Sequence, residues 1–130
     1  MTTISLCMIV KNEEDVLKRC LTSVKSVVDE IIIVDTGSTD STKKIAKEFT
    51  DKIYYFKWID DFSKARNYAF SKATKEYILW LDADDVILPE DIELMKILKE
   101  DLKKNIDIVM MKYNCGLDDD GIPSLSYCRE

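Results

Sequence analysis

The pattern of apolar and polar positions in the first third of the chain predicts a strand, a helix and a second strand. An apolar run over Ile4–Val10 has the length of a strand, and apolar residues then recur at helical spacing from Val16 to Val28. Glu30–Asp35 is a second run with three consecutive isoleucines, which favour strands. It ends at a turn around Gly37.

The same alternation continues along the rest of the chain. Asp120-Gly121 is a hairpin turn signal, with a returning antiparallel strand predicted over Ile122–Cys128. Since no repeat, low-complexity tract or linker interrupts the pattern, residues 1–130 are predicted to form one domain. Further helices are predicted over Thr39–Phe49, Phe62–Thr74 and Pro89–Asn105, and further strands over Lys52–Phe56, Tyr77–Leu81 and Ile106–Tyr113.

Alternating strands and helices predict an α/β fold with a mostly parallel central sheet. The runs Ile31–Val34 and Ile78–Leu81 are apolar on both faces, which is typical of interior strands covered by helices on both sides. Ligands of such sheets bind at the carboxyl ends of the strands. Polar residues follow three of the strands, so we expect three segments to meet at one edge: Lys11–Glu14, Asp35 and Asp82–Asp85.

Asp82 and Asp84 form a D-x-D pair at one of these strand ends. Two carboxylates this close repel unless a cation lies between them, and Mg2+ and Mn2+ prefer one or two carboxylates together with phosphate and water. The pair is therefore a candidate site for a metal held jointly by the protein and a diphosphate. The alternative is that Asp82 and Asp85 only cap the loop and the following helix.

Asp35 and Arg66 are further candidates, each with a structural alternative. Asp35 could accept a hydrogen bond from a nucleoside, or it could cap the turn before the next helix. Arg66, followed by Asn67 near the start of a helix, could offset phosphate charge or simply lie on the surface. For Trp80, within an apolar strand, packing in the core is the expected role.

The composition limits the partners, catalytic groups and metal sites that we expect for this chain. The 130 residues carry a net charge of −6 without a basic run, so nucleic acid is not an expected partner. The absence of histidine excludes an imidazole base and a His-ligated zinc within this chain. The three glycines form neither a dinucleotide fingerprint nor a P-loop. Acid–base and metal chemistry would therefore depend on carboxylates.

The cysteines and the start of the chain favour a cytoplasmic protein. Cys7, Cys20, Cys115 and Cys128 form no C-x-x-C pair, and we expect them to be buried free thiols. No segment has the roughly 18 apolar residues that span a bilayer, and the first residues lack the basic region of a signal peptide. We expect no integral membrane segment and a cytoplasmic location.

Four ordered blocks, within about residues 3–113, resemble the family 2 glycosyltransferases. The resemblance implies a Rossmann-like GT-A fold, a nucleotide-sugar donor with UDP-sugar favoured, Mn2+ or Mg2+ as cofactor, and inversion at the anomeric carbon. The blocks are SLCMIVKNEE over Ser5–Glu14, IVDTGSTD over Ile33–Asp40, FSKARNYA over Phe62–Ala69 and ILWLDADD over Ile78–Asp85.

The same resemblance implies roles for individual residues. Asp84 matches the metal-binding position, with Asp82 as a second ligand. Thr36 departs from the common V-D-D-G-S pattern, in which a second Asp follows the first, and this departure bears on recognition of the base. The implied nucleotide-binding residues are Val10, Lys11, Asn12, Glu13, Asp35, Gly37, Arg66, Asn67, Asp82 and Ala83.

The resemblance places the general base, a carboxylate, in the later, acceptor-binding half of such enzymes. We therefore expect the base outside this chain, and the chain to be the N-terminal part of a longer enzyme with a saccharide, lipid or protein acceptor. Asp118–Asp120 are expected to be turn residues. A catalytically silent nucleotide-binding module is the main alternative.

Two further classes fit parts of the pattern. D-x-D-x-V over Asp82–Val86 matches haloacid-dehalogenase-like phosphatases, but that signature belongs on the first strand of its domain. A receiver-type signalling domain suits the length, yet its acidic strand end should follow the third strand, where Lys57 and Trp58 stand instead.

Overall fold

The structure of the chain is a computed structural model that describes residues 2–102 and 106–109 and the backbone of residues 112–117 and 123–127. Strands and helices alternate as the sequence predicts. The strands are β1 (Ile4–Val10), β2 (Glu30–Asp35), β3 (Ile53–Tyr55), β4 (Tyr77–Trp80), β5 (Lys112–Leu117) and β6 (Pro123–Tyr127). The helices are α1 (Leu17–Val24), α2 (Thr42–Lys47), α3 (Phe62–Ser71) and α4 (Pro89–Asp101).

The first four strands form one parallel sheet in the order β3-β2-β1-β4. β1 and β2 are the interior strands. In the described part of the chain β4 lies at the edge, and Ile78 is 42% exposed, which differs from the interior position that its apolar sequence favours. An apolar run indicates that both faces are covered, but it carries no information about neighbours in the plane of the sheet.

Helices cover both faces of the sheet, as predicted. On one face Leu6, Met8 and Val10 of β1 pack with residues of α1, α2 and α4. On the other face Cys7 and its neighbours from β2 pack with Ala69 of α3. These two sets alternate along β1 because successive strand residues point to opposite faces.

The helix ends are less well predicted than the strands. α1 ends at Val24, although the apolar pattern continues to Val27 and Val28. These two valines are apolar because the turn after the helix also packs against the core. α2 begins at Thr42 instead of Thr39, because the backbone N–H groups of Thr39 and Ser41 donate to side chains of the loop after β1. The helical spacing of apolar residues therefore extends beyond the helices themselves.

The C-terminal elements form the predicted antiparallel pair, β5 with β6. Residues 106–109 are not in a strand, so the predicted strand over Ile106–Tyr113 begins too early. The predicted turn at Asp120-Gly121 and the predicted end of α4 at Asn105 lie outside the described residues.

Cys7 and Cys20 are buried free thiols, as predicted. Burial raises the pKa of Cys7 to about 11 and that of Cys20 to about 12, so neither forms a reactive thiolate near neutral pH. The side chains of Cys115 and Cys128 lie outside the described residues. None of the helices in the described part of the chain has the length and apolar character needed to cross a bilayer.

Glu30, the first residue of β2, ties the amino ends of the strands together. Its side chain is 2% exposed and bonds to the ammonium group of Lys52. It also accepts hydrogen bonds from the Ser5 hydroxyl at 2.7 Å and from the Thr74 N–H and hydroxyl at 2.9 and 2.7 Å. Burial alone would raise the pKa of Glu30, but the bonds from Lys52, Ser5 and Thr74 outweigh it and lower the pKa to about 2.

We predict that Glu30→Gln lowers the free energy of unfolding at pH 7 by about 2 kcal/mol, because buried donors lose their charged acceptor. The native carboxylate is stabilising above its unfolded pKa of 4.5, and this contribution is lost as the pH falls towards about 2. Urea unfolding across this range should therefore be less acid-sensitive in the variant.

Glu48→Gln is the matched control, because the Glu48 to Lys18 ion pair is exposed and 3.8 Å long. Its unfolding free energy should change by less than about 0.5 kcal/mol. Equal losses in both variants would contradict the role assigned to Glu30.

Candidate functional site

Three strand ends meet at the carboxyl edge of the parallel sheet, as predicted. Val10 and Asp35 are register partners at the ends of β1 and β2. Trp80, the last residue of β4, pairs with Cys7 of β1, and Asp82 follows two residues later. Since β1 lies between the other two strands, about two strand spacings, roughly 10 Å, separate the backbones after β2 and β4.

The Asp35 carboxylate is buried, with the side chain 1% exposed. Its Oδ2 accepts hydrogen bonds from the Gly37 and Ser38 N–H groups, both at 3.1 Å, and lies 3.8 Å from Nζ of Lys43. Gly37 has a φ of +120°, which favours glycine, so the turn around the carboxylate depends on this residue.

The other oxygen of Asp35, Oδ1, is buried and has no hydrogen-bond partner. Leaving a buried carboxylate oxygen unpaired is costly, and such groups are normally satisfied. Asp35 thus caps its turn through Oδ2 and retains Oδ1 as an acceptor for an N–H or O–H group. The structure confirms the turn-capping interpretation of Asp35, through Oδ2, and the role of Asp35 as a nucleoside acceptor stays a prediction.

The loops after β1 and β2 are joined by hydrogen bonds. Asn12, with a φ of +52°, donates its backbone N–H to Oγ of Ser38 at 3.0 Å and accepts from the Thr39 N–H at 2.8 Å. The backbone N–H of Glu13 donates to the Thr42 hydroxyl at 2.8 Å. These bonds hold Asn12 and Glu13 at the same edge as Asp35.

The loop after β4 is a tight turn that carries three acidic residues. Backbone and side-chain bonds of 2.9 Å connect Asp82 and Asp85 in both directions. The turn is attached to α1 by Arg19, which donates to the Asp84 carbonyl at 3.1 Å. The carboxylates of Asp82, Asp84 and Asp85 each place an oxygen within 4.8 Å of the others.

The acidic groups at this edge influence one another. Burial, followed by the charges of Asp85 and Asp84, raises the pKa of Asp82, while Arg66 acts in the opposite direction. Burial also raises the pKa of Glu13, with Asp84 and Asp82 among the further causes. A divalent cation would relieve this repulsion, and carboxylate oxygens are its preferred ligands, so the three aspartates fit Mn2+ or Mg2+.

Arg66 contacts two aromatic rings on the α3 side of the site. Its guanidinium carbon is 4.3 Å from the ring centroid of Trp80 and 4.9 Å from that of Phe62. Trp80 is only partly buried, so it is not the fully buried core residue that the sequence predicts. Asn67, the next residue on α3, is exposed.

Two of the predicted nucleotide-binding residues direct their side chains into the core. Val10 and Ala83 are buried in the cluster that packs under α1. Val10 also uses its carbonyl to accept from the Thr36 N–H at 3.0 Å and the Thr36 hydroxyl at 3.3 Å. The side chains of Val10 and Ala83 therefore pack in the core next to this edge, whereas the side chain of Lys11 is exposed beside it.

Sequence reasoning missed two charged residues that contact the site. Arg19 binds the Asp84 carbonyl, and Lys43 lies beside Asp35. In the sequence both residues occupy ordinary positions on helix surfaces, and no motif around them indicates a role in the site. Their roles follow from the packing of α1 and α2 against this edge.

A wide groove of about 770 Å³ lies elsewhere, at the amino ends of the strands. It is lined by Lys18 and Lys52, which pair with Glu48 and Glu30, and by none of the predicted site residues. Among the described residues, Asp35 and the three aspartates after β4 lie at the opposite, carboxyl edge.

Comparison with known proteins agrees with this geometry. A TPR repeat-containing protein of Synechococcus elongatus is 52% identical over 90 residues, which is 69% of this chain and 22% of that protein. The SPbeta prophage-derived glycosyltransferase SunS of Bacillus subtilis is 46% identical over 91 residues, 68% of this chain and 22% of that protein. The chain spans about a fifth of the length of these two curated relatives.

Solved structures share the fold. S. aureus TarS in complex with UDP has a TM-score of 0.59 at 23% identity, over 75% of this chain and 32% of that chain. Glucosyl-3-phosphoglycerate synthase of Mycobacterium tuberculosis, in complex with Mn2+ and UDP-glucose, has a TM-score of 0.57 at 22% identity, over 65% of this chain and 34% of that chain.

The family model described as Glycosyl transferase family 2 matches residues 5–126, nearly the whole chain. This match covers all four sequence blocks and all three strand ends of the carboxyl edge. The phosphatase and receiver-type alternatives are thereby set aside. The chain belongs to glycosyl transferase family 2.

Proposed function

We propose that this chain binds the donor of an inverting glycosyltransferase that moves a sugar from a nucleoside diphosphate, UDP-sugar first, to a saccharide, lipid or protein acceptor. One observation carries the proposal. The buried carboxylate of Asp35, with its free Oδ1, and the three carboxylates of the turn after β4 lie at the same sheet edge. The first suits a nucleoside and the second suits a metal-bound diphosphate.

The nucleoside would lie over the ends of β1 and β2. Oδ1 of Asp35 would accept an N–H of the base or a hydroxyl of the ribose, and the hydrogen-bonded loops with Asn12 and Glu13 would form the wall of the pocket. Lys11 is exposed beside these loops and Gly37 allows close approach of the backbone. UDP is bound by TarS, which shares this fold, and this supports a uridine donor.

The diphosphate would lie between the turn after β4 and α3. Asp84 and Asp82 would hold Mn2+ or Mg2+, which when bound supplies positive charge near the departing diphosphate. The Arg66 guanidinium would offset further negative charge on the leaving oxygens, with Asn67 beside it on α3. The contribution of these residues is electrostatic, because the sugar transfer itself needs only a good leaving group and an activated hydroxyl.

The base that activates the acceptor hydroxyl is proposed to lie outside this chain. Catalysis then needs residues beyond the donor site, and the relatives, which are several times longer than this chain, support this division. Donor hydrolysis or sugar transfer by the 130 residues alone would contradict it. If the chain were instead a silent nucleotide-binding module, even a longer form of the protein would not transfer a sugar.

We predict that UDP with Mn2+ stabilises the native chain by about 2.7 kcal/mol at a hundred times its dissociation constant. Thermal unfolding should be compared for UDP, GDP, CDP and dTDP, each with and without Mn2+. Asp84→Asn should strongly reduce the metal-dependent part, because a charged carboxylate ligand is replaced by a neutral amide. Asp51→Asn, an exposed aspartate before β3, is the control and should respond like the native chain.

No stabilisation of the native chain by any of the four diphosphates would contradict the proposed function. Stabilisation that is equal in Asp84→Asn would contradict the metal site alone.

We predict that Asp35→Asn weakens UDP binding by about 10- to 100-fold, because an amide presents an N–H group where the base or ribose needs an acceptor. The loss should be the same with and without Mn2+, unlike that of Asp84→Asn. Calorimetric titration measures both constants. An Asp35→Asn variant that folds normally and binds UDP like the native chain would exclude Oδ1 as the nucleoside acceptor.

A further inference from the structure

The position of Arg66 is set by aromatic rings from two different elements. Phe62 lies four residues earlier on α3, one helical turn away, and Trp80 is the last residue of β4. Their ring centroids are 4.9 and 4.3 Å from the guanidinium carbon. Both distances are well inside the range of about 6 Å over which a cation is attracted to an aromatic ring.

Contact with the rings restricts the guanidinium in a particular way. An aromatic ring attracts the charge of the guanidinium, whereas the five N–H donors of the group point outward in its own plane. An arginine held by aromatic rings therefore keeps its donors available for oxygen atoms. It also loses less rotamer freedom on binding than a mobile arginine, since it is already ordered.

The Arg66 guanidinium and both rings lie beside the acidic turn. Trp80 is only two residues before Asp82, and a small crevice is bordered by Phe62, Arg66, Trp80 and Asp82 together. The charge of Arg66 acts on Asp82, which agrees with a guanidinium near the acidic turn. The rings therefore hold the cation beside the carboxylates that would carry the metal.

The exposure of the two rings is difficult to explain by core packing alone. Phe62 is 43% exposed, and Trp80, which also contacts Phe70 at 6.4 Å, is only partly buried. Burial of such rings contributes less to stability than burial of a core residue. Their common feature is contact with Arg66.

We infer that Trp80 and Phe62 are positioning residues that hold the Arg66 guanidinium beside the diphosphate of the bound nucleotide. The inference rests on the proposed function, and it assigns to the aromatic pair a role in the affinity for the diphosphate group. The two rings act only through Arg66 and make no contact of their own with the nucleotide.

A double-mutant cycle tests this inference by calorimetric titration of UDP in the presence of Mn2+. Trp80→Leu should weaken UDP binding by about tenfold in the native background, which is the range expected for loss of a cation–π contact. In the Arg66→Ala background the same substitution should change the affinity by less than about twofold, because its target is absent. Trp80→Phe, which keeps an aromatic face, should restore most of the affinity.

The controls separate positioning from general damage. Ile78→Ala removes apolar surface from the same face of β4, two residues earlier, and should bind UDP like the native chain. Phe62→Leu is a second probe at an exposed position, suitable if Trp80→Leu does not fold, and should show the same dependence on Arg66.

The outcomes distinguish a failure of the positioning role from a failure of the proposed function. Losses that are equal in the native and Arg66→Ala backgrounds would overturn the positioning role and leave UDP binding intact. Unchanged UDP binding in Trp80→Leu and Phe62→Leu would also overturn it. A native chain that binds none of the four diphosphates would instead refute the proposed function, and with it the assignment of Arg66 to a diphosphate.

Discussion

The register of the parallel sheet is the constraint on which the site depends, and the buried carboxylate of Glu30 helps to set it. At the amino ends of the strands Glu30 binds Ser5 of β1, Lys52 before β3 and Thr74 before β4. A slip of one residue would exchange the faces of a strand and move its end relative to its neighbours. The carboxyl ends share one edge because the strands are parallel, and the tie at the amino ends fixes their positions relative to one another.

That edge concentrates negative charge, and its acidic side chains repel one another. Asp82, Asp84 and Asp85 lie close together, and Glu13 and Asp82 both have raised pKa values. Hydrogen bonds within the turn and to α1 keep it in place despite the repulsion. Local electrostatic cost of this kind is typical of functional sites, where a ligand or ion completes the interactions.

The strands were predicted better than the helices, for physical reasons. β1 and β2 have the predicted bounds because short apolar runs with β-branched residues coincide with the interior of the sheet. α2 starts three residues late because Asn12 and Glu14, far away in sequence, bind the backbone before it. Edge or interior position in the sheet, as for β4, depends on partners that a strand's own sequence does not specify.

The sequence by itself determined the α/β fold, the meeting of Asp35 and the D-x-D pair at one edge, and the family. Periodicity and strand ends are local properties, and in a parallel sheet they are sufficient to align the carboxyl ends. Only the tertiary structure decided that Val10 and Ala83 turn inward, and that the Trp80 ring contacts the Arg66 guanidinium. The reason is that these contacts join elements distant in the chain, so they exist only once the helices have packed on the sheet.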